Sequence, residues 1–282
     1  MKPSLLIVRT LIAIVFILFS PFIISAQDMP LTLKNQMQAI HTPAIGKTKA
    51  SVLLIHGWAG QMNEVGDLYK HLAAKLSNEG IASLRINIRG ESEREASNYT
   101  LTSTFLSRME DAETGFHFLK KTYAELPLGL VGFSLGGSTA MALAGQYPEG
   151  FTSIVLWSSA GNPKDIANSL FNKQQRAEIE NTGSIILNEW VDITVTKKHL
   201  DGFDSDNIIE PFSKYKGALL CIRGTEDHIP DIDRTIIETA SGKLKEHRYI
   251  ASADHIFNVL EADNSYSERL LIQTVDWFKS TL

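Results

Sequence analysis

The feature that most constrains this chain is a repeated unit: a short, continuously apolar run followed by a stretch with apolar residues at helical spacing. Ser51–His56 reads as a buried strand, and Val65–Leu76 as a helix that Gly80 ends. The unit recurs as strand Ile81–Ile88 with helix Ser103–Tyr123, and as strand Leu128–Phe133 with helix Leu135–Gln146. Strand Ser153–Trp157 follows. Strand Ala218–Arg223, helix Asp231–Ala240, strand Lys245–Ile250 and helix Ser265–Lys279 complete the series. Strands that are apolar throughout are buried on both faces. The pattern therefore predicts an α/β fold: a mostly parallel sheet with helices on both faces. In such sheets the loops at the carboxyl ends of the strands form the natural crevice for a site.

One interval breaks the rhythm. Between Gly161 and Lys216 the apolar residues Ile166, Leu170, Phe171, Ile179, Ile185, Ile186, Leu187 and Trp190 suggest helices. A structureless loop of that length would be unusual, so a small helical cap insertion over the crevice is predicted for 161–216. Phe171, Ile186 and Trp190 are candidates for the lining of an acyl or aromatic pocket, with packing against the core as the other reading.

The 282 residues carry a formal net charge of -5 and show no basic stripe, which argues against nucleic-acid binding. Lys2 and Arg9 precede an apolar run, Leu11 to Phe19, and Ile24-Ser25-Ala26 follows. That arrangement predicts a signal peptide over 1–26, cut after Ala26, a mature domain over 27–282, and an exported protein. A membrane would be involved only if the segment stayed uncleaved. The single cysteine, Cys221, excludes an internal disulfide and sits in an apolar run, as a small buried hydrophobe does.

The chemistry is carried by Gly132-Phe133-Ser134-Leu135-Gly136, which fits G-x-S-x-G between an apolar strand and an Ala- and Leu-rich helix. In that context a sharp turn presents the serine hydroxyl at the mouth of the sheet, and the flanking glycines let neighbouring backbone pass. A serine needs a base to take its proton and an acid to orient that base. Asp227 lies in the loop after strand Ala218–Arg223, and His255 in the loop after strand Lys245–Ile250. Both loops leave carboxyl ends of successive strands, so both can reach Ser134. Glu226 is the rival acid; His228 reads as a rim residue, and Asp254 as a partner in loop hydrogen bonds. The developing oxyanion needs fixed N–H donors. Leu135 N–H, directly after the serine, is one candidate, and Trp58 N–H, in the loop His56-Gly57-Trp58-Ala59-Gly60, is the other. No histidine pair has metal-ligand spacing, the acidic cluster Asp201, Asp204 and Asp206 lacks the spacing of a calcium loop, and no metal or organic cofactor is expected.

Taken together, His56-Gly57-Trp58, Gly132-Phe133-Ser134-Leu135-Gly136-Gly137, Gly224-Thr225-Glu226-Asp227 and Asp254-His255 resemble the α/β-hydrolase superfamily from about Ser51 to the C-terminus. The chain is most similar to the group of cinnamoyl or feruloyl esterases, monoacylglycerol lipases and small esterases, whose members carry a short helical cap. The segment Asn87-Ile88-Arg89-Gly90-Glu91-Ser92 is similar to that group's Asp-x-Arg-Gly-x-Gly-x-Ser loop, with Asn87 in place of the Asp and the later glycine missing. The resemblance implies a serine hydrolase that cleaves a small-molecule carboxylic ester through Ser134, His255 and Asp227 and an acyl-enzyme. Two other readings stay open: a serine peptidase or amidase, and a non-catalytic binding protein of the same fold.

Overall fold

The computed structural model describes residues 27–91, 99–189, 191–204 and 208–282. The segment read as a signal peptide, Ser92, Trp190 and Asp206 lie outside the described residues. Among the described residues no helix is long and apolar enough to cross a membrane.

The chain opens with two strands, β1 (Met29–Thr32) and β2 (Gln38–Thr42), then β3 (Ala50–Ile55), α1 (Leu68–Asn78) and β4 (Ile81–Ile86). A short strand β5 (Tyr99–Leu101) leads into α2 (Phe105–Thr122), β6 (Leu128–Phe133), α3 (Leu135–Gln146) and β7 (Ser153–Trp157). The insertion contains α4 (Pro163–Leu170), α5 (Lys173–Thr182), β8 (Ser184–Asn188), β9 (Asp192–Thr196), α6 (Lys197–Asp201) and α7 (Ile209–Phe212). The series closes with β10 (Ala218–Gly224), α8 (Asp233–Thr239), β11 (Lys245–Ile250) and α9 (Ser265–Thr281).

The main sheet has the order β1-β2-β4-β3-β6-β7-β10-β11. Every neighbour pair from β4 to β11 is parallel, while β1 and β2 are antiparallel to their neighbours. The alternation of side chains divides the core in two. Leu53, Ile55, Leu130, Ile154, Leu156 and Cys221 pack on the face covered by α2 and α3. Val52, Leu54, Val131, Val155, Trp157 and Ile222 pack on the face covered by α1 and α9. A strand with both kinds of neighbour has no polar side, which is why these strands read as unbroken apolar runs. Cys221 is fully buried, and burial pushes its thiol well up.

The insertion corrects part of the sequence reading. Ile185, Ile186 and Leu187 belong to β8, not to a helix, and β8 pairs antiparallel with β9. β9 in turn pairs parallel with β5, which makes a separate three-stranded sheet. The physical reason is local. Gly183, at φ 85, ends α5 in a left-handed turn, and in Asp192-Ile-Thr-Val-Thr196 four β-branched residues in a row alternate apolar with polar at period two. A third apolar cluster forms beneath, from Ala59, Tyr99, Leu101, Phe171, Ile179, Ile185, Ile193 and Val195. Ile186 points away from it and is 62% exposed, so it lines no pocket, whereas Phe171 is buried.

Candidate active site

Ser134 stands between β6 and α3 with φ 51 and ψ -119, a conformation that costs a non-glycine residue about 1–3 kcal/mol. The surroundings hold it there. Its N–H donates to Trp157 O at 2.9 Å, and its own carbonyl accepts from Gly137 N–H at 2.9 Å and Ala160 N–H at 3.0 Å. The two glycines of the motif make the turn possible. A Cβ on Gly132 would lie 2.4 Å from Gly136 O, and one on Gly136 would lie 2.1 Å from Ile55 O. The first turn of α3 is thus pressed against the end of β3.

Ser134 Oγ lies 3.1 Å from His255 Nε2, and His255 Nδ1 lies 2.8 Å from Asp227 Oδ1. The imidazole packs over Phe133 at 5.1 Å between ring centroids and meets His228 edge-on at 4.9 Å. Asp254 accepts the N–H groups of Ile256 at 3.0 Å and Asn258 at 2.7 Å, and so shapes the loop that carries His255. Asp227, rather than Glu226, faces the histidine. Burial raises the Asp227 carboxyl, but the hydrogen bond and charge of His255, the Ile229 N–H and Arg223 outweigh it and hold the group below its ordinary value. An ionised Asp227 fixes the proton of His255 on Nδ1 and leaves Nε2 free to receive the proton of Ser134.

Arg223, at the end of β10, is a participant that sequence reasoning missed. Its Nη1 donates to Asp227 Oδ2 at 2.7 Å, its Nη2 to Ser159 O at 2.7 Å, and its Nε and Nη2 to the two oxygens of Asp233 at 3.1 and 3.0 Å. A charged residue closing the run Ala-Leu-Leu-Cys-Ile was its only signal. Asp231, Asp233 and His247 bring potential ligand atoms within 4.8 Å of one another. The Arg223 guanidinium already lies 3.0 Å from Asp233 and 3.6 Å from Asp231, so a cation is built into that group.

The loop after β3 sits beside the serine: a Cβ on Gly57 would lie 3.4 Å from Ser134 Cβ. Among the described residues neither Trp58 N–H nor Leu135 N–H donates to a protein acceptor. Leu135 N–H is also at the positive end of α3. The Trp58 indole N–H donates to Nε2 of His199, on α6 of the insertion, at 2.9 Å. His199 Nδ1 then donates to Ser103 O at 2.8 Å. A narrow cavity of about 10 Å³, room for about one water, lies beside Trp58, lined by His199 and by apolar side chains including Ile166, Phe171 and Phe203. Asn87 holds the loop after β3 by accepting Met62 N–H at 2.7 Å.

Glu64 accepts Gly57 N–H at 2.8 Å and Val65 N–H at 3.1 Å. Burial pushes its carboxyl up to about 7, against the lowering effect of those donors. The folded protein therefore keeps a proton that the unfolded chain releases near pH 4.5, and stability falls as pH rises from there to about 7. Glu64→Gln removes this dependence. Urea unfolding at pH 4 and pH 8 is expected to show the variant gaining roughly 3 kcal/mol on the wild type between the two. A difference that does not change with pH would mean that Glu64 is ionised throughout.

The serine aminopeptidase S33 family matches residues 46–207, more than half of the sequence. The chain belongs to this family. Its S33 match takes in the serine turn and most of the insertion but ends before Asp227 and His255. No curated protein matches the chain. Among solved structures, Est1E from Butyrivibrio proteoclasticus with ferulic acid bound gives a TM-score of 0.70 at 14% identity, over 90% of this chain and 98% of that one. The monoacylglycerol lipase of Paleococcus ferrophilus gives 0.62 at 18% identity, over 87% and 99%. Dienelactone hydrolase from Anabaena variabilis gives 0.60 at 15% identity, over 92% and 99%. This S33 chain is thus an α/β-hydrolase in fold, as the sequence resemblance implied.

Proposed function

We propose that the protein is a serine hydrolase of small carboxylic esters, with Ser134 as nucleophile, His255 as general base and then acid, and Asp227 as the group that orients His255. The observation that carries this reading is the continuous hydrogen-bonded path from Ser134 Oγ through both His255 nitrogens to Asp227. In the first step Ser134 Oγ bonds to the ester carbonyl carbon while its proton passes to His255 Nε2. The N–H groups of Trp58 and Leu135 receive the oxyanion. Collapse of the intermediate expels the alcohol, which takes the proton from His255. A water then repeats the sequence on the acyl-enzyme and releases the acid.

Peptide-bond cleavage is the second reading, favoured by the description of the family. An aminopeptidase would need an anionic partner for the substrate's ammonium close to Ser134. Both readings are tested by a fluorophosphonate probe followed by a panel of nitrophenyl esters and aminoacyl anilides. Labelling of Ser134 and turnover of the nitrophenyl esters are expected. An unlabelled Ser134 in folded protein, or turnover of anilides alone, defeats the ester assignment.

Export is proposed with it. The first strand begins at Met29, and Asp28 pairs with buried Arg85 at 2.5 Å, so a cut after Ala26 would leave these contacts intact. N-terminal sequencing of the exported protein is expected to begin at Gln27.

A further inference from the structure

We propose that Glu64 and Glu91 are positioning residues of the loop that carries Trp58: they take the N–H groups on either side of it and leave the Trp58 N–H for the substrate oxyanion. The inference rests on the serine-hydrolase reading above.

Gly57 N–H donates to Glu64 Oε2 at 2.8 Å, and Ala59 N–H donates to Glu91 Oε2 at 3.2 Å. Trp58 N–H, between them, has no protein acceptor among the described residues. The carbonyls of the same loop are also claimed. His56 O accepts from Arg108 Nη2 at 2.7 Å, and Gly57 O lies 2.8 Å from His56 Nδ1. His56 Nε2 accepts Ile88 N–H at 3.0 Å, which leaves the proton on Nδ1 to reach Gly57 O. Fixing the peptide groups on both sides of a residue fixes the direction of its own N–H, because each peptide unit is planar.

The two carboxyls are themselves immobilised. Glu91 is fully buried; it receives Arg108 Nη1 at 2.5 Å and Ser103 Oγ at 2.6 Å. Arg108 extends the frame to α3 by donating to Thr139 Oγ1 at 3.1 Å. Glu64 is 4% exposed and holds Val65 N–H with its other oxygen. A buried ion pair such as Glu91 with Arg108 is a weak source of stability, since desolvation offsets most of its attraction. Fixed geometry beside a reacting group is what such a frame supplies, and oxyanion donors act only when held in advance.

The test uses the full-length protein, a nitrophenyl acetate assay and a trifluoromethyl ketone. Ser134 adds to that ketone to give a tetrahedral adduct whose oxygen occupies the oxyanion position. Glu64→Ala is expected to lower kcat about 10- to 100-fold with KM within twofold. It is expected to weaken the ketone by the same factor as kcat/KM. Glu64→Gln, which keeps an acceptor for Gly57 N–H, is expected to stay within about threefold of wild type. If Glu64→Ala does not fold, Glu91→Gln takes its place, with a weaker neutral acceptor for Ala59 N–H and an expected parallel loss of about 3- to 10-fold in kcat and ketone affinity. Unchanged kcat in the tested variant, or a fall in kcat with ketone affinity unaltered, overturns the inference. Wild-type protein that neither turns over ester nor binds the ketone overturns instead the hydrolase reading, and this inference with it.

Discussion

Ser134→Ala is expected to lower kcat on a nitrophenyl ester by roughly 10⁴- to 10⁶-fold while the folded protein melts within a few degrees of wild type. The hydroxyl hydrogen-bonds to His255 alone among the described side chains, so its removal leaves one partly exposed imidazole nitrogen to water. The strained backbone at φ 51 is held by the bonds to Trp157, Gly137 and Ala160, none of which involves the side chain. The two readouts therefore separate. Asp227→Asn is expected to fall short of the serine variant, at about 10⁴-fold, because an amide can donate to Nδ1 and favours the wrong tautomer. Steady-state kinetics with calorimetry on both variants decides this. Activity within tenfold of wild type in Ser134→Ala would remove Ser134 from the chemistry.

The second large effect concerns stability. Arg223 is 2% exposed and binds Asp227 and Asp233, each 1% exposed. Arg223→Met leaves two buried carboxylates without their cation, a loss of about 3–5 kcal/mol, or on the order of 10 °C in melting temperature for a domain of this size. Arg223→Lys keeps the charge but cannot reach Asp227, Asp233 and Ser159 O together, so an intermediate loss is expected. The pH dependence has a defined sign. Asp227 is held below its ordinary value, so its stabilisation is present above the unfolded value near 3.8 and is lost as pH falls through the lower folded value. Without Arg223 that folded value rises, and acid unfolding is expected to begin at higher pH. Melting curves from pH 3 to pH 8 test both points. A variant as stable as wild type would mean that the carboxylates find other partners.

The central strands were legible because burial on both faces of β3, β4, β6, β7 and β10 leaves almost no solvent-facing position, so apolar residues dominate them. The serine turn was legible for a related reason: only glycine fits where α3 meets β3, and the fold then dictates which loops bring Asp227 and His255 to Ser134. The remainder was hidden by its chemistry. β1 and β2 lie at an edge, where burial is partial and the apolar signal is thin. β8 and β9 are five residues each, too short for an alternation to stand out from the helical spacing before them. Glu64, Glu91, Arg108 and Arg223 look like ordinary surface charges in sequence. Their meaning comes from partners far along the chain, such as Arg108 with His56 and Thr139.

The bond between the Trp58 indole and His199 has a consequence for engineering. His199 belongs to the insertion, and Trp58 to the loop beside the nucleophile. An insertion transplanted from another protein would keep that bond only if it carried a histidine at the same place. Without it, rate and selectivity would change together. Recombination that treats the insertion as an interchangeable part would need its boundary drawn to keep Trp58, Ser103 and His199 from the same parent.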